Sequence, residues 1–217
     1  MLGLDEPAPD VVDETFVQVS RLLQQLVTVT DVHDEHAFGR ELEQHLKAAR
    51  QTVWMWSPWI ANRAREVVPL IRAAVERGVD VRVFIRPDED RLMAKDWAQR
   101  QLPTLVESGA TVIRSDLEHR KIVVIDGHVV LLGSLNVLSN APGRSRETMI
   151  TMEGRAFASR LLTELRVDEI GTPQHCSGCR RPMEVRRRWS KAAPLLYWQC
   201  RQCNVKVPLH GAWRQRR

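Results

Sequence analysis

Apolar and polar positions in this chain follow two rhythms that alternate along its length. TVWMWSPWI (52–60) and VDVRVFIRP (79–87) are continuous apolar runs rich in β-branched and aromatic residues, and each carries a proline turn signal. TVIRS (111–115) is a shorter run of the same kind, and runs of this sort predict buried strands. Between them NRAREVVPLIRAAVERG (62–78), closed by Gly78, and residues 91–108, despite Pro103, space their apolar residues as helices do. Residues 11–29 and 36–50 predict two amphipathic helices ahead of the first strand. The succession strand, helix, strand, helix, strand predicts an α/β fold, a mixed or parallel sheet flanked by helices.

The stretch HRKIVVIDGHVVLLGSLN (119–136) breaks the pattern at its ends. Asp126-Gly127 between two β-branched runs predicts a hairpin, because both central positions of a tight two-residue turn need positive φ. With that turn, Ile125 stands opposite His128, Lys121 opposite Leu132 and His119 opposite Ser134. His119, Lys121, Ser134 and Asn136 are then expected on one face, at the end away from the turn. An imidazole, an ammonium, a hydroxyl and an amide are the parts of a phosphoryl-transfer site. A neutral histidine attacks phosphorus, while Lys and Asn donors stabilise the charge that builds on the nonbridging oxygens. That chemistry requires no metal. Taken singly, each residue has an ordinary explanation: a snorkelling lysine, a structural histidine, turn-forming Ser and Asn. Asp126 falls in the turn, roughly 20 Å from His119 at ~3.3 Å per residue, where Asp before Gly has a structural use.

The 217 residues, 43% apolar and 27% charged, suit one domain of ordinary size with a small appendage. GTP at 171–173, after a helical pattern, marks a boundary. It divides the chain into an N-terminal helical segment (1–35), a catalytic domain (36–170) and a C-terminal unit (171–217). MLGLDEPAPD lacks the features of a secretion signal, and no apolar run reaches the ~18 residues of a membrane span, which predicts a cytoplasmic protein with no membrane partner. The net charge is +5, yet Thr172–Arg217 holds eleven Lys or Arg against one acid, Glu184. Such a block is a footprint for a polyanion, nucleic acid above all, or a solvated run that aids solubility.

All four cysteines lie in this unit, as Cys176-x2-Cys179 and Cys200-x2-Cys203 with twenty residues between the pairs. This is the spacing of a zinc ribbon, in which each knuckle turns two sulfurs toward one ion. Two disulfides are the alternative, disfavoured where cytosolic thiols stay reduced. Four sulfurs close a tetrahedral shell, so the expected zinc is structural and no cofactor is expected for catalysis.

The run His119-x-Lys121-x4-Asp126-x6-Gly133-Ser134-x-Asn136 resembles the HKD signature of the phospholipase D superfamily, whose members cleave phosphodiesters in lipids or nucleic acids. The resemblance implies a phospholipase D-like mixed sheet flanked by helices. It implies His119 as a nucleophile that forms a covalent phosphohistidine, Lys121 and Asn136 holding the phosphate, Ser134 assisting, and Asp126 as the motif's acid. Family nucleases place a glutamate after the motif to orient the imidazole, and Glu147 in SRETMIT stands where it is expected. A surface strand position is its ordinary alternative. Family enzymes work with two such motifs, one histidine attacking while the other protonates the leaving oxygen. This sequence carries one, which implies a two-fold homodimer with the site across its axis.

Together these readings describe a metal-independent endonuclease acting on DNA or RNA. Trp59, beside Pro58, is placed to stack a base, and Arg186, Arg187 and Arg188 next to Trp189 combine phosphate contacts with stacking. Two other readings stay open. One is an accessory subunit that binds nucleic acid or a helicase, defence or repair partner, its nuclease silent until assembled. The other is a phospholipid hydrolase.

Overall fold

The expected strands come together in a single mixed sheet. The computed structural model describes residues 27–87, 95–116, 118–139, 145–189 and 194–209. In chain order the elements are β1 (Thr28–Asp34), α1 (Ala37–Ala48), β2 (Thr52–Trp56), α2 (Ala64–Glu76), β3 (Asp80–Ile85), α3 (Asp96–Glu107), β4 (Thr111–Arg114), β5 (Ile122–Ile125), β6 (Val129–Gly133), β7 (Thr148–Glu153), α4 (Arg155–Glu164), α5 (Val167–Ile170), β8 (Glu184–Trp189), β9 (Pro194–Gln199) and β10 (Lys206–Pro208). Seven strands run in the order β1-β7-β6-β5-β2-β3-β4, and the last three form a separate small sheet, β10-β9-β8. β2, β3 and β4 are parallel, as their helical crossovers require, and the remaining pairings of the large sheet are antiparallel. Among the described residues no helix is long and apolar enough to cross a membrane.

Strand alternation divides the core in two. Val53, Met55, Val83, Val123 and Leu131 meet Phe38, Leu42 and Leu46 of α1, Val68 and Ile71 of α2 and Leu105 of α3. On the other face Trp56, Phe84, Val124 and Val130 meet Ala158 of α4, Val167 and Ile170 of α5, and Met183, Val185, Trp198, Cys176 and Cys200. Trp56 and Phe84 stack with ring centroids 4.4 Å apart. One apolar cluster therefore continues across residue 171 into the cysteine-bearing unit, which packs on the sheet as a third covering layer.

Two expectations are corrected here. Within the helical segment expected over 1–35, Thr28–Asp34 is a strand, the sheet edge paired with β7. TVTDVHD is rich in β-branched residues, which lose side-chain freedom in a helix and suit a pleated surface. Residues 1–26 lie outside the described residues. In the hairpin, Asp126 and Gly127 do take positive φ, 51° and 57°. His128 joins them in the loop, however, so Ile125 pairs with Val129 and Ile122 with Leu132. The register is one residue away from the expected one, and the Gly133 N–H donates to the carbonyl of Lys121 at 3.3 Å. Regular alternation would then send Ser134 to the face opposite Lys121. It does not, because β6 stops at Gly133 and the chain leaves strand geometry. Glycine is required at this last position: a Cβ on Gly133 would lie 2.0 Å from the Thr148 carbonyl oxygen.

Candidate active site

The site forms where the parallel and antiparallel halves of the sheet meet. β2 and β3 end at Trp56 and Ile85, and β5 begins beside them, with Trp56 opposite Ile122. Three segments therefore converge at these strand ends: the loop leaving β2, the residue leaving β3, and residues 118–121, which lead into β5. Backbone bonds join them, Ser57 N–H to the Phe84 carbonyl, Arg86 N–H to the Pro58 carbonyl (each 3.0 Å) and Ser115 N–H to the Ile85 carbonyl (2.9 Å). Ser57, fully buried, accepts from the Leu138 N–H at 3.1 Å and so clamps the segment that follows Asn136.

Trp59 is the hub. The His119 ring stands edge-on to it at 5.2 Å, and two cations sit against the indole, Arg86 at 5.4 Å and Lys121 at 5.7 Å. Lys121 Nζ lies 2.9 Å from His119 Nδ1 and 3.4 Å from Nε2, and it donates to the His119 carbonyl at 2.7 Å. An ammonium can only donate, so the ring facing it is neutral. His119 is accordingly held below the ordinary histidine pKa, first by burial and then by the charges of Lys121 and Arg86. Lys121 is lowered as well, mainly by burial, with Glu147 opposing the shift. A neutral imidazole between two cations can attack an electrophile whose charge those cations neutralise.

The backbone under His119 is organised by a glutamate that sequence reasoning missed. The Glu118 side chain is fully buried; Oε1 accepts the N–H groups of His119 and Arg120 at 3.1 and 3.0 Å, and the carboxylate holds the Arg120 guanidinium at 2.7 and 2.5 Å. Its carbonyl accepts from Arg86 Nε at 2.6 Å, which fixes Arg86 over Trp59. Two signals were available: an acid directly before a basic run in EHRK, and an arginine ending an apolar strand at Pro87.

On the other side Ser134 donates to Glu147 Oε2 and accepts the Thr148 N–H at 3.1 Å, while Ser145 donates to Glu147 Oε1 at 2.7 Å. Glu147, expected on the His119 ring, thus binds two serines and faces Lys121 electrostatically, and the charged group at His119 Nδ1 is Lys121. Asn136 is buried in the turn beyond Leu135. Asp126, implied by the motif as its acid, stays at the hairpin turn, where its carboxylate caps the start of β2 by accepting the N–H groups of Arg50, Gln51 and Thr52 at 3.0, 2.8 and 2.9 Å. Of the arginines expected on nucleic acid, Arg188 is exposed, Arg187 is half-buried, and Arg186 bridges Asp116 and Glu184 at 2.8 and 2.6 Å. The Trp189 side chain lies outside the described residues.

The four cysteines are free thiols whose sulfurs all lie within 4.8 Å of one another. The two knuckles repeat one geometry. The residue after each second cysteine, Arg180 or Asn204, has φ near +55° (57° and 55°) and returns its N–H to the carbonyl of the first cysteine at 2.8 or 2.9 Å. Tetrahedral zinc places sulfurs ~3.8 Å apart, and this cluster suits that span. The amides of Cys179 and Gly178 help bring Cys176 down to about 7, whereas the adjacent sulfurs push Cys203 up to about 12.

A mixed sheet that carries an HxK histidine where its central strands end, with lysine and arginine on the same indole and a serine–glutamate pair following in the motif, defines the phospholipase D class of phosphodiesterase fold. The chain belongs to that superfamily: residues 42–168 match the family described as "Cardiolipin synthase, PLD-like domain". Cardiolipin synthase A of Proteus mirabilis is 26% identical over 158 residues, and that of Serratia proteamaculans 27%. Each match covers 71% of this chain and 32% of the relative, so the chain spans about a third of those proteins. Among solved structures the fold is similar to Nuc from Salmonella typhimurium, a phospholipase D family member (TM-score 0.56, 18% identity, 65% of this chain and 93% of that one). It is also similar to NucT from Helicobacter pylori (TM-score 0.51, 15% identity, 65% and 94%).

Proposed function

We propose that this phospholipase D-type phosphodiesterase is an endonuclease that works through a covalent phosphohistidine at the interface of a homodimer. The observation that carries the reading is the His119 ring held against Lys121 Nζ and Trp59, with Arg86 and Lys121 both over that indole. A phosphodiester entering there draws Lys121 off the ring onto a nonbridging oxygen. The imidazole lone pair then attacks phosphorus, and the P–O bond to the leaving group breaks. The leaving oxygen takes its proton from the His119 of the second copy, which enters the step as the imidazolium, the two rings sharing one proton; now neutral, it removes a proton from the water that splits the P–N bond. Asn136 and Arg86 share the phosphate charge. Zinc on the four cysteines is structural.

Nucleic acid is favoured as substrate by the basic C-terminal unit, by exposed Arg188, and by an indole wall on which a base can stack. The cardiolipin synthase relatives favour the second reading, a phospholipid substrate. Incubation with plasmid, single-stranded DNA and RNA, and separately with phospholipid vesicles, without added divalent cations, separates the two. We expect strand cleavage by the wild type, none by His119→Ala, and a labelled phosphoenzyme trapped on His119. Lipid turnover without strand cleavage would transfer the same chemistry to the second reading, and binding without cleavage would favour the accessory-subunit reading.

A further inference from the structure

The cysteine unit touches the active site from behind. Its strand β8 lies beside the segment that leads to His119: Val185 forms a parallel bridge with Ser115, and the Asp116 N–H donates to the Val185 carbonyl at 2.9 Å. The Asp116 carboxylate accepts Arg186 Nη1 at 2.8 Å and the Arg187 N–H at 3.4 Å. Arg186 is itself anchored in the ribbon by Glu184, which is 5% exposed. Val185, Trp198, Cys176 and Cys200 are buried in one cluster with Trp56, the last residue of β2, and Phe84, the last but one of β3, the strands from which Trp59 and Arg86 follow. The nucleophile's lead-in is therefore held on one side by the sheet, through Ser115 to Ile85, and on the other by the ribbon, through Asp116.

We propose that the four-cysteine ribbon is a positioning element of the active site, with Arg186 and Asp116 as positioning residues that hold the chain at Ser115 and Asp116, ahead of Glu118–Lys121, and thereby set the His119 ring against Trp59. The proposal rests on the phosphodiesterase reading of His119. It gives Arg186 a task other than phosphate binding. On this proposal a hydrolase that uses no metal in its chemistry would still depend on one: a metal held by the four cysteines would shape the ribbon, and the ribbon holds the histidine.

Asp116→Ala in the full chain is the discriminating variant, because it leaves the Arg186–Glu184 pair, the ribbon core and the backbone bonds to Val185 in place and removes only the side-chain tie that the proposal assigns to Arg186 and Asp116. Arg186→Met, which keeps the aliphatic stem, and Arg186→Lys, which keeps a cation, complete the set. Two readouts are taken: hydrolysis of bis(p-nitrophenyl) phosphate, and amide hydrogen exchange of peptides covering 115–122 and 80–85. We expect Asp116→Ala and Arg186→Met to lose about tenfold or more in kcat with KM little changed, since small misplacements of reacting groups carry costs of that order. Exchange should quicken at 115–122 and stay unchanged at 80–85, and Arg186→Lys should recover part of both. Stripping the metal should reproduce the local pattern. Unchanged kcat and exchange in Asp116→Ala would overturn the proposal. So would exchange that rises equally in both peptides, which is the signature of a ribbon that only stabilises the fold. If the wild type fails to turn over the diester, the phosphodiesterase reading falls, and the exchange data still decide whether the ribbon holds the segment.

Discussion

In the proposed reaction His119 acts by being neutral beside two positive charges. Burial, Lys121 and Arg86, in that order of importance, hold its pKa below the ordinary 6.5. The sign of the consequence is definite. A nucleophilic imidazole is lost by protonation, so the acid limb of kcat/KM should lie below pH 6.5, and activity should persist where an unperturbed histidine would already be charged. Arg86→Ala removes one of the two cations, raises the imidazole's proton affinity and moves the limb toward higher pH; Arg86→Lys should leave it in place. A pH profile of the three proteins checks this, and an unmoved limb in Arg86→Ala would remove Arg86 from the electrostatics of the ring. HxK and the later Ser and Asn were legible in the sequence because the motif lists them in order. Arg86 and Glu118 were not, since each owes its role to a partner that folding brings up: Arg86 Nε finds the Glu118 carbonyl 32 positions along the chain.

Among the elements, the β5–β6 hairpin shows how a turn sets geometry at a distance. Asp126 accepts three amides at the start of β2, so one side chain ties the hairpin turn to a strand 74 to 76 positions earlier. Burial works against its ionisation, but the backbone N–H groups of Thr52, Gln51 and Arg50 outweigh it and lower its pKa from 3.8. A carboxylate lowered in this way contributes stability that is present above its unfolded pKa and lost as pH falls through the folded value. Asp126→Ala should therefore cost about 1–2 kcal/mol near neutral pH, comparable to losing a helix cap, with the difference from wild type shrinking in acid. Urea denaturation at pH 7 and pH 3 measures both, and kcat should stay close to wild type, since this carboxylate stands at the far end of the strand. The turn residues themselves were legible, because positive φ at two successive positions selects Asp-Gly. The third loop residue, His128, was not. Its place follows from the register in which Ile125 pairs with Val129, a pairing between strands that the turn residues alone do not specify.

At the scale of the whole molecule, the motif count and the proposed chemistry demand a second histidine. His128 cannot serve, for it sits at the turn and faces Glu153 at 3.6 Å. A second copy supplies the missing group in our reading, and mixing tests it directly. When wild-type chains are refolded with an excess of His119→Ala chains, activity should fall as the square of the wild-type fraction, because a working site needs both imidazoles; a linear fall would mean that each chain works alone. Sedimentation at the assay concentration should find the dimer.

Local pattern determined a good deal by itself. β-branched runs became β2, β3, β5 and β6, helical spacing became α1 to α3, and two CxxC knuckles became one sulfur cluster. Each of these depends on residues a few positions apart, whose preferences are written side by side in the chain. What the tertiary structure alone decided are meetings across long separations: Arg186 with Asp116, 70 positions apart, Asp126 with Arg50, and a basic ribbon that packs its apolar side into the catalytic core. Charge composition marked that ribbon as a surface for anions. Burial of Trp198 and Cys200 against the sheet made it part of the enzyme's frame, because a side chain's partner is set by the packing of layers, and composition carries no record of which face turns inward.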